Sequence, residues 1–453
     1  MPTRKGVSVP SSSKPRSGMP SRKQRRMGKG SNRGAGAGAG AGDAPGAATR
    51  PLRILQVYHS WQVAEPGGVI SVLQSLLEGL RQRHEPELLI RDWESPRLAR
   101  QEHEEQSHFR LRMPDPPERI WHLRSLVTSA MRMLRAAWQL RRLCHERRID
   151  VIHLHYLSPY QLVFTLLHRI TGTPYILTVH RGDVAGYPES PRLHRWAMDR
   201  VLTQAARVVA VSDALGQALV RVSRAPIAPV TVYNGFTLAG QPVASRDTVE
   251  ALSTPALPET YAVLVANLRR YKAPDVALRA WQHVAQRGWD VPLVIVGGGP
   301  DLEATKKLAG DLGLTGDEVR FLGARPRDHV LQIVQGASLL IAPSRDEGQG
   351  VVLLEAGALG VPVVCSDIGP FVEVLGSGDA GWITPVEDHE ALAEAVQECL
   401  ARPEEARRRA ETFAARVTAT FSLDRMMREY EGLYGDAARP AMPSEHHGSP
   451  RAG

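Results

Sequence analysis

A repeated alternation of short apolar runs with amphipathic helical segments limits the fold of this 453-residue chain more than any other feature. Continuous runs rich in Val, Ile and Leu are typical of strands that are buried on both faces. Helical segments between such strands are typical of the crossovers of a parallel sheet. The alternation occurs twice, on either side of a Pro-, Ala- and Ser-rich stretch at about 239–258 that favours a linker. The sequence therefore predicts an α/β protein with two doubly wound parallel sheets.

The expected boundaries follow from this pattern. The predicted strands are residues 52–58, 150–154, 175–179 and 208–211 in the first half, and 261–266, 292–296, 319–322, 338–342 and 361–365 in the second. Helices are predicted at 69–83 and at about 161–170. The domains are then 51–240 and 259–420, followed by a C-terminal helix at 421–436. A ligand is expected in a cleft between the two sheets, at the carboxyl ends of their strands.

The positive charge of the chain is concentrated at its N-terminus. The formal net charge is +8, yet residues 1–50 alone hold eleven Lys and Arg residues against one acidic residue, Asp43. The rest of the chain is therefore slightly acidic, and no nucleic-acid partner is expected for the domains. Low complexity predicts disordered tails at 1–50 and 437–453. An arm that touches anionic lipid or RNA, and a transit peptide, are alternatives for the basic tail.

Cysteine usage and hydropathy favour a cytoplasmic protein. The three cysteines, at 144, 365 and 399, form no CxxC pair, which is typical of a reducing compartment. The chain has no run of about 18 apolar residues, so no membrane span is predicted. The beginning of the sequence also lacks the apolar core of a secretory signal. Residues 119–148 interleave arginines with Ile, Leu, Met and Trp. This pattern indicates either peripheral association with an anionic membrane surface or a solvated helix face.

The segment with the clearest chemistry follows a predicted strand of the second half. It reads Glu347-Gly348-Gln349-Gly350, and Glu355 comes five residues later within a predicted helix. Glycines at a helix start let a ligand approach closely, and free N–H groups there favour an anion. Glu355 can accept two hydrogen bonds from a ribose diol, and Glu347 would lie nearer a sugar. Acidic residues that stabilise the positive end of a helix explain the same spacing without a ligand.

Two further segments come directly after predicted strands. Arg269, Arg270 and Lys272 follow the first strand of the second half, where cations can hold a diphosphate. His180 follows a strand of the first half and is expected to face the cleft. A solvated basic loop and a structural histidine are the alternatives.

Together these segments resemble the retaining glycosyltransferases of the GT-B fold, in the glycosyl transferases group 1 family (family four type). The resemblance covers about residues 52–435. Its strongest part is the family's E-G-F-G motif with a helical Glu, which corresponds to residues 347–350 and Glu355. The further matches, in chain order, are Gly67-Gly68, His180, Ala210-Val211-Ser212, Asn234-Gly235, the turn at 295–300 and the strand at 360–364. Each motif alone is weak, but the set in this order is specific.

The resemblance implies two Rossmann-like domains, the first for an acceptor and the second for a nucleotide-sugar donor. It implies transfer of a sugar with retention of configuration, without a metal or other cofactor. The acceptor would be a glycolipid or a growing polysaccharide. The leaving phosphate oxygen takes the acceptor proton in such enzymes, so no separate base is expected.

The resemblance also assigns roles to individual residues. Glu355 would bind the ribose, Glu347 the sugar hydroxyls, and His180 the sugar near its O6. The catalytic residues implied are Glu347, His180 and Lys272. The other donor-binding residues implied are Gly67, Gly68, Arg269 or Arg270, Gly348, Gly350 and Val351.

Two positions depart from the family pattern. Asn267 stands where the phosphate-binding Arg usually lies, and a neutral amide cannot neutralise a leaving diphosphate. Arg269 or Arg270 is therefore expected to supply that charge. Gln349 stands where the family usually has an aromatic residue, so a change in the shape of the sugar pocket is expected.

Other functions fit the sequence less well. A nicotinamide-dependent oxidoreductase would carry GxGxxG directly after the first strand, and residues 58–61 have no such motif. A nucleotide-sugar epimerase or a phosphorylase shares the two-domain fold. A catalytically idle homologue would bind a nucleotide without turnover.

Overall fold

The computed structural model describes residues 50–59, 68–103, 106–118, 123–238, 257–314, 316–376 and 378–439. The expected tails up to residue 49 and from residue 440, most of the expected linker, Gly67 and Arg119 lie outside the described residues. The described part is built on two separate sheets with helices on both faces.

The first sheet is formed by the N-terminal half of the chain. Its strands are β1 (Arg53–Tyr58), β2 (Glu85–Arg91), β3 (Ala99–His103), β4 (Gln106–Leu111), β5 (Val151–His155), β6 (Tyr175–Val179), β7 (Arg207–Ala210) and β8 (Val230–Thr231). They lie in the order β3-β4-β2-β1-β5-β6-β7-β8. All neighbours are parallel except β3 and β4, which pair antiparallel at one edge.

The second sheet is fully parallel. Its strands are β9 (Ala262–Val265), β10 (Leu293–Val296), β11 (Val319–Gly323), β12 (Leu339–Ala342), β13 (Val363–Ser366) and β14 (Trp382–Thr384). Their order is β11-β10-β9-β12-β13-β14, so the winding reverses between β9 and β12. In the first sheet the winding reverses between β1 and β5 in the same way.

Helices connect almost all parallel strands. Those of the first half are α1 (Gly68–Arg81), α2 (Leu123–Arg147), α3 (Leu162–Thr171), α4 (Arg181–Gly186), α5 (Arg192–Gln204) and α6 (Asp213–Val222). Those of the second half are α7 (Pro274–Gln286), α8 (Leu302–Asp311), α9 (Arg327–Gly336), α10 (Val351–Ala358), α11 (Gly369–Leu375), α12 (His389–Ala401) and α13 (Pro403–Thr420). The last helix is α14 (Leu423–Ala438). None of the described helices is long and apolar enough to cross a bilayer.

The prediction of two doubly wound sheets is confirmed, and every predicted strand lies within two residues of an observed one. The sequence reading missed β2, β3, β4, β8 and β14. The segments 99–103 and 106–111 are mostly polar and carry no continuous apolar run. β3 is the edge strand and is largely exposed, whereas β4 buries Phe109 and Leu111 between polar residues, so hydropathy gives little signal in either segment.

Successive residues of the first sheet pack into two different cores. Leu55, Val57 and their equivalents on neighbouring strands pack beneath α2, α3, α5 and α6. Ile54 and its equivalents pack beneath α1 and α14 on the opposite face. The C-terminal helix α14 therefore leaves the second sheet and covers the first.

The chain crosses between the two sheets at two adjacent places. The Phe236 N–H donates to the Phe421 carbonyl at 2.8 Å, and the Leu423 N–H donates to the Phe236 carbonyl at 3.2 Å. Gly235 lies directly against this second crossing, and a Cβ there would lie 2.7 Å from Leu423 Cα. The two crossings therefore pair as a short bridge, which only a glycine at 235 allows.

A buried polar network lies between α14 and the first sheet. Tyr434 Oη accepts a hydrogen bond from Gln56 Nε2 at 3.1 Å and lies 2.8 Å from His153 Nδ1. Tyr430 Oη lies 3.0 Å from Thr178 Oγ1, which is 2.8 Å from His153 Nε2. Burial lowers the pKa of His153 to about 3, so this imidazole is neutral. Because buried polar groups must be paired, the network fixes the position of α14.

Replacing Tyr434 with Phe tests this network. The variant removes the hydroxyl shared by Gln56 and His153 and leaves both side chains buried without it. We expect the free energy of unfolding, measured by urea denaturation, to fall by about 1–3 kcal/mol.

Thr203→Val is the control, because it also removes one hydroxyl group, but from an exposed side chain of α5. It should lower the free energy of unfolding by less than about 0.5 kcal/mol. Equal losses in the two variants would contradict a specific role for the network.

Candidate functional site

The candidate site lies where the winding of the second sheet reverses. Strands β9 and β12 pair directly there, with Ala262 opposite Leu339. Their carboxyl ends continue into two loops, residues 266–273 and 343–350. Ligands of doubly wound sheets bind at this reversal, because the two loops separate and leave a crevice.

Lys272 and Glu347 come together from these two loops. Lys272 Nζ donates to Glu347 Oε1, and Ser344 Oγ donates to the same oxygen at 3.2 Å. The Glu347 side chain is buried, and the Lys272 side chain is 19% exposed. Lys272 ends a 3-10 turn (Arg270–Lys272), after which Ala273 adopts a φ of +52° before α7 begins. The structure thus joins two of the three residues that the resemblance named as catalytic.

Arg345 fixes the two loops to each other. Its backbone N–H donates to the Tyr271 carbonyl at 2.8 Å, and Nη1 donates to the Arg270 carbonyl at 2.6 Å. Its guanidinium also pairs with Asp275 at 2.7 Å and with Glu387. Hydrogen bonds to these two carboxylates raise the pKa of Arg345. The sequence reading missed Arg345, although its position between Ser344 and Glu347 was a signal.

Glu355 lies on α10, the helix that follows the 343–350 loop. Gly350 precedes the helix with a φ of +88°, and a Cβ there would overlap the Phe371 ring, so glycine is required. Glu355 is buried, and its carboxylate lies 3.1 Å from Arg327 Nη2. Burial raises the pKa of Glu355, and Arg327 opposes that shift. Arg327 was not anticipated from the sequence.

His180 comes from the first sheet, at the carboxyl end of β6. Its backbone N–H donates to Asp183 Oδ2 at 2.8 Å, so α4 begins at the next residue. The imidazole is buried against Tyr156, with 4.4 Å between ring centroids. Burial, and then His59, lower the pKa of His180 to about 3. Its Nε2 is buried and has no hydrogen-bond partner among the described residues.

Three polar contacts join the first half of the chain to the 343–350 loop, at Gly348, Asp346 and Gln349. Ser212 Oγ donates to the Gly348 carbonyl at 2.6 Å. Arg181 Nε lies 2.8 Å from Asp346 Oδ2, and the guanidinium lies 3.5 Å above the centre of the Tyr271 ring. Burial raises the pKa of Asp346, and Arg181 opposes that shift. The loop that holds Glu347 is therefore in direct contact with both halves.

Gln349 makes the third contact. Its side-chain Oε1 accepts from the Asn234 N–H at 2.7 Å, and its Nε2 donates to the Asn234 carbonyl at 3.3 Å. Both groups are buried. The Gln side chain thus pairs with a peptide at the first crossing between the sheets. Gln349, which the resemblance places where the family usually has an aromatic residue, thus contributes to this junction.

The remaining sequence-predicted residues are more peripheral. Arg269 and Arg270 are exposed, and the Arg269 side chain forms no ion pair with any described residue. Arg270 lies near Glu387, whose pKa it helps to lower. Gly68 begins α1, while Gly67 lies outside the described residues. Gly348 and Val351 flank Gly350 at the start of α10.

Comparison with known proteins adds independent findings. The family model described as Glycosyl transferase 4-like domain matches residues 67–235, and that described as Glycosyl transferases group 1 matches residues 249–416. A D-inositol 3-phosphate glycosyltransferase from Saccharomonospora viridis is 31% identical over 300 residues, which cover 61% of this chain and 69% of the relative. N-acetyl-alpha-D-glucosaminyl L-malate synthase from Bacillus anthracis is 26% identical over 310 residues, 68% of this chain and 80% of the relative.

Solved structures share the fold. Sucrose-phosphate synthase from Thermosynechococcus elongatus superposes with a TM-score of 0.68 at 22% identity, covering 85% of this chain and 98% of that chain. Anabaena HepE, solved with UDP and glucose, gives a TM-score of 0.64 at 20% identity, covering 85% and 99%. Fold and site together define a glycosyltransferase of the GT-B class. The chain belongs to the glycosyl transferases group 1 family.

Gln349→Leu tests the junction at Asn234. The substitution keeps the volume of the side chain but removes both hydrogen bonds, which leaves a buried N–H and a buried carbonyl unpaired. The expected loss in the free energy of unfolding is about 1–3 kcal/mol, read from chemical denaturation.

Gln82→Leu, at an exposed position after α1, is the control and should change stability by less than about 0.5 kcal/mol. If Gln349→Leu were as stable as the control, the two hydrogen bonds would carry no net free energy.

Proposed function

We propose that this glycosyltransferase moves a sugar from a nucleotide-diphosphate donor to an acceptor, with retention of configuration. The observation that carries the proposal is the pair of Lys272 with the buried Glu347 at the reversal point of the second sheet. It combines a cation suited to a leaving diphosphate with a carboxylate suited to sugar hydroxyls. The fold shared with HepE, a protein solved with UDP and glucose, supports a donor of this class.

The charges at the site suit the bond that breaks. When the anomeric C–O bond breaks, positive charge develops on the sugar ring and negative charge on the diphosphate. Lys272 and the free N–H groups at the start of α10 would stabilise the diphosphate, and Glu347 would stabilise the ring. The acceptor oxygen then bonds to the anomeric carbon on the face from which the diphosphate leaves. Its proton passes to the departing phosphate oxygen.

We assign the nucleoside to Glu355 and the sugar to Glu347 and His180. Glu355 is buried one turn into α10, and its ion pair with Arg327 favours the ionised form that accepts two ribose hydroxyls. The unpartnered Nε2 of His180 lies at the end of β6, where it would bond a sugar hydroxyl. The neutral imidazole does so without adding positive charge beside a cationic sugar ring.

We propose that the reaction needs no metal ion, because side-chain cations and helix N–H groups supply the positive charge. Proton NMR of the product's anomeric signal checks retention, and the rate in EDTA checks metal independence. Inversion, or a rate that EDTA abolishes, would overturn the respective assignment.

We propose a glycolipid or a growing polysaccharide as acceptor, bound by the first domain at an anionic membrane surface. Helix α2 supports this proposal, because four of its apolar side chains are half or more exposed: Val127, Met131, Leu134 and Trp138. Their spacing places them within about 60° of one another around the helix. Arginines flank this stripe at positions 124, 135, 141 and 142, and Glu146 is the one acidic residue in α2. An apolar stripe edged with arginines is complementary to anionic lipid.

A thermal-shift panel tests the donor site. UDP, GDP, ADP and NAD are offered to the wild type, Glu355→Gln and an exposed control, Glu303→Gln. One nucleoside diphosphate, at a hundred times its dissociation constant, should stabilise the wild type and the control by about 2.7 kcal/mol. Glu355→Gln should lose most of this shift, because a carboxamide cannot accept both ribose hydroxyls.

A rise in melting temperature with NAD alone would overturn the donor-site assignment. So would the absence of any rise with all four nucleotides. Diphosphate binding without any transfer would identify an idle homologue. Interconversion of the donor sugar, or a requirement for inorganic phosphate, would identify an epimerase or a phosphorylase.

Vesicle co-sedimentation tests the α2 surface. The double variant Met131→Ser, Trp138→Ser should bind vesicles containing phosphatidylglycerol at least about tenfold more weakly, because two apolar side chains no longer enter the bilayer interface. The control Ile170→Ser, Val220→Ser removes two apolar side chains that are about half exposed elsewhere and should bind as the wild type does.

Binding should also weaken as salt rises and be weak on neutral phosphatidylcholine. Equal binding to both lipids would contradict the charge argument. Self-association abolished by the Met131 and Trp138 substitutions would assign the stripe to a second copy of the chain.

A further inference from the structure

The 266–273 loop of the second domain presents little positive charge to the crevice. A diphosphate leaving group carries several negative charges, and one lysine, Lys272, faces the crevice in a pair with Glu347. Asn267 is neutral and lies against the backbone at Gly299. Arg270 lies on the side of Glu387, and the Arg269 side chain is exposed. A second cation for the diphosphate is therefore not evident on this loop.

Arg181 brings a cation to the same place from the first domain. It follows His180 at the start of α4, and its guanidinium lies 3.5 Å above the ring of Tyr271, the neighbour of Lys272. Its Nε lies 2.8 Å from Asp346, the neighbour of Glu347. The Arg181 guanidinium thus contacts the residue before Lys272 and the residue before Glu347.

The geometry of Arg181 suits an anionic ligand. Stacking on Tyr271 fixes the plane of the guanidinium, and neither Nη atom bonds to any residue that the structure describes. The side chain is 23% exposed, so a ligand in the crevice can reach it. The Arg181 backbone also packs closely on the 343–350 loop, because a Cβ at Gly348 would lie 3.4 Å from the Arg181 nitrogen. The two Nη groups of Arg181 can therefore donate hydrogen bonds to two oxygens of a phosphate.

We propose that Arg181 supplies the second positive charge to the donor diphosphate, in place of a cation at position 267 and instead of Arg269 or Arg270. This inference rests on the proposed donor site. In the absence of the nucleotide-sugar, the ion pair with Asp346 positions the Arg181 guanidinium. When the nucleotide-sugar binds, its diphosphate oxygens accept hydrogen bonds from the Nη atoms of Arg181. Because Arg181 belongs to the first domain and Lys272 to the second, the diphosphate binds to both domains at once.

Calorimetric titration with matched nucleotide pairs tests the proposal. The full chain is titrated with UDP and UMP, GDP and GMP, and ADP and AMP, to find the pair that the wild type binds. Arg181→Met keeps a side chain that packs on Tyr271 but removes the charge. It should weaken the diphosphate about 10- to 100-fold and the monophosphate less than threefold, because the lost hydrogen bonds are charge-assisted. Arg181→Lys should recover part of the loss.

Matched variants make the outcome specific. Arg269→Met, Arg270→Met and the exposed α7 control Arg279→Met should each change diphosphate affinity less than threefold. Arg181→Met with near wild-type diphosphate affinity would overturn the proposal. So would equal losses for both nucleotides, which indicate a damaged fold, or a larger loss in Arg269→Met or Arg270→Met.

Glu355→Gln separates this inference from the proposed function. It should weaken the monophosphate and the diphosphate alike, because both carry the ribose. If Glu355→Gln abolishes binding while Arg181→Met does not, the donor site stands and the role of Arg181 fails. If the wild type binds no nucleotide of any pair, both fail.

Discussion

The arrangement of the two sheets depends on the pairing of the two chain crossings between them. Phe236 exchanges backbone hydrogen bonds with Phe421 and Leu423, so the outgoing and returning segments hold each other. Gln349 bonds the neighbouring peptide at Asn234, and this contact links the crossing to the loop that holds Glu347. Glu373 adds a further link by accepting the N–H groups of residues 213 and 214 at the start of α6. The site is thus anchored where the two halves meet, and a shift of one sheet would move residues of the site.

Within the second domain, the geometry of the site depends on hydrogen bonds between the 266–273 and 343–350 loops as well as on the strands that precede them. The Arg345 guanidinium pairs with Asp275 and Glu387, and its backbone N–H and Nη1 donate to carbonyls of the 266–273 loop. Arg345 is therefore a positioning residue whose hydrogen-bonding groups are already paired. Lys272 and Glu347, in contrast, pair with each other at the crevice. Rigid loops with their charges already oriented lose little entropy when a charged ligand binds.

The sequence predicted the two sheets well, and it placed the residues of the candidate site on the loops where the structure has them, because both depend on local patterns. Continuous apolar runs identify buried strands, and the glycines of 348–350 identify a helix start. The edge strand β3 and its neighbour β4 were missed because mostly polar segments such as 106–111 give little hydropathy signal. Partners across long sequence separations were also missed: no local pattern tells that Arg327 pairs with Glu355, or that Gln349 bonds Asn234. The roles of the site residues stay predictions, because position in the fold does not specify chemistry.

The return of α14 to the first sheet has a consequence for how the protein is made. Strand β8 ends at Thr231, whereas α14 begins at Leu423. One apolar face of the first sheet, with Ile54 among its side chains, is completed by Met426 and Tyr430. During synthesis this face stays uncovered until α14, which follows nearly the whole second domain, has emerged from the ribosome. A truncated chain without α14 therefore exposes a hydrophobic surface on its first sheet, and such surfaces are what chaperones and proteases bind.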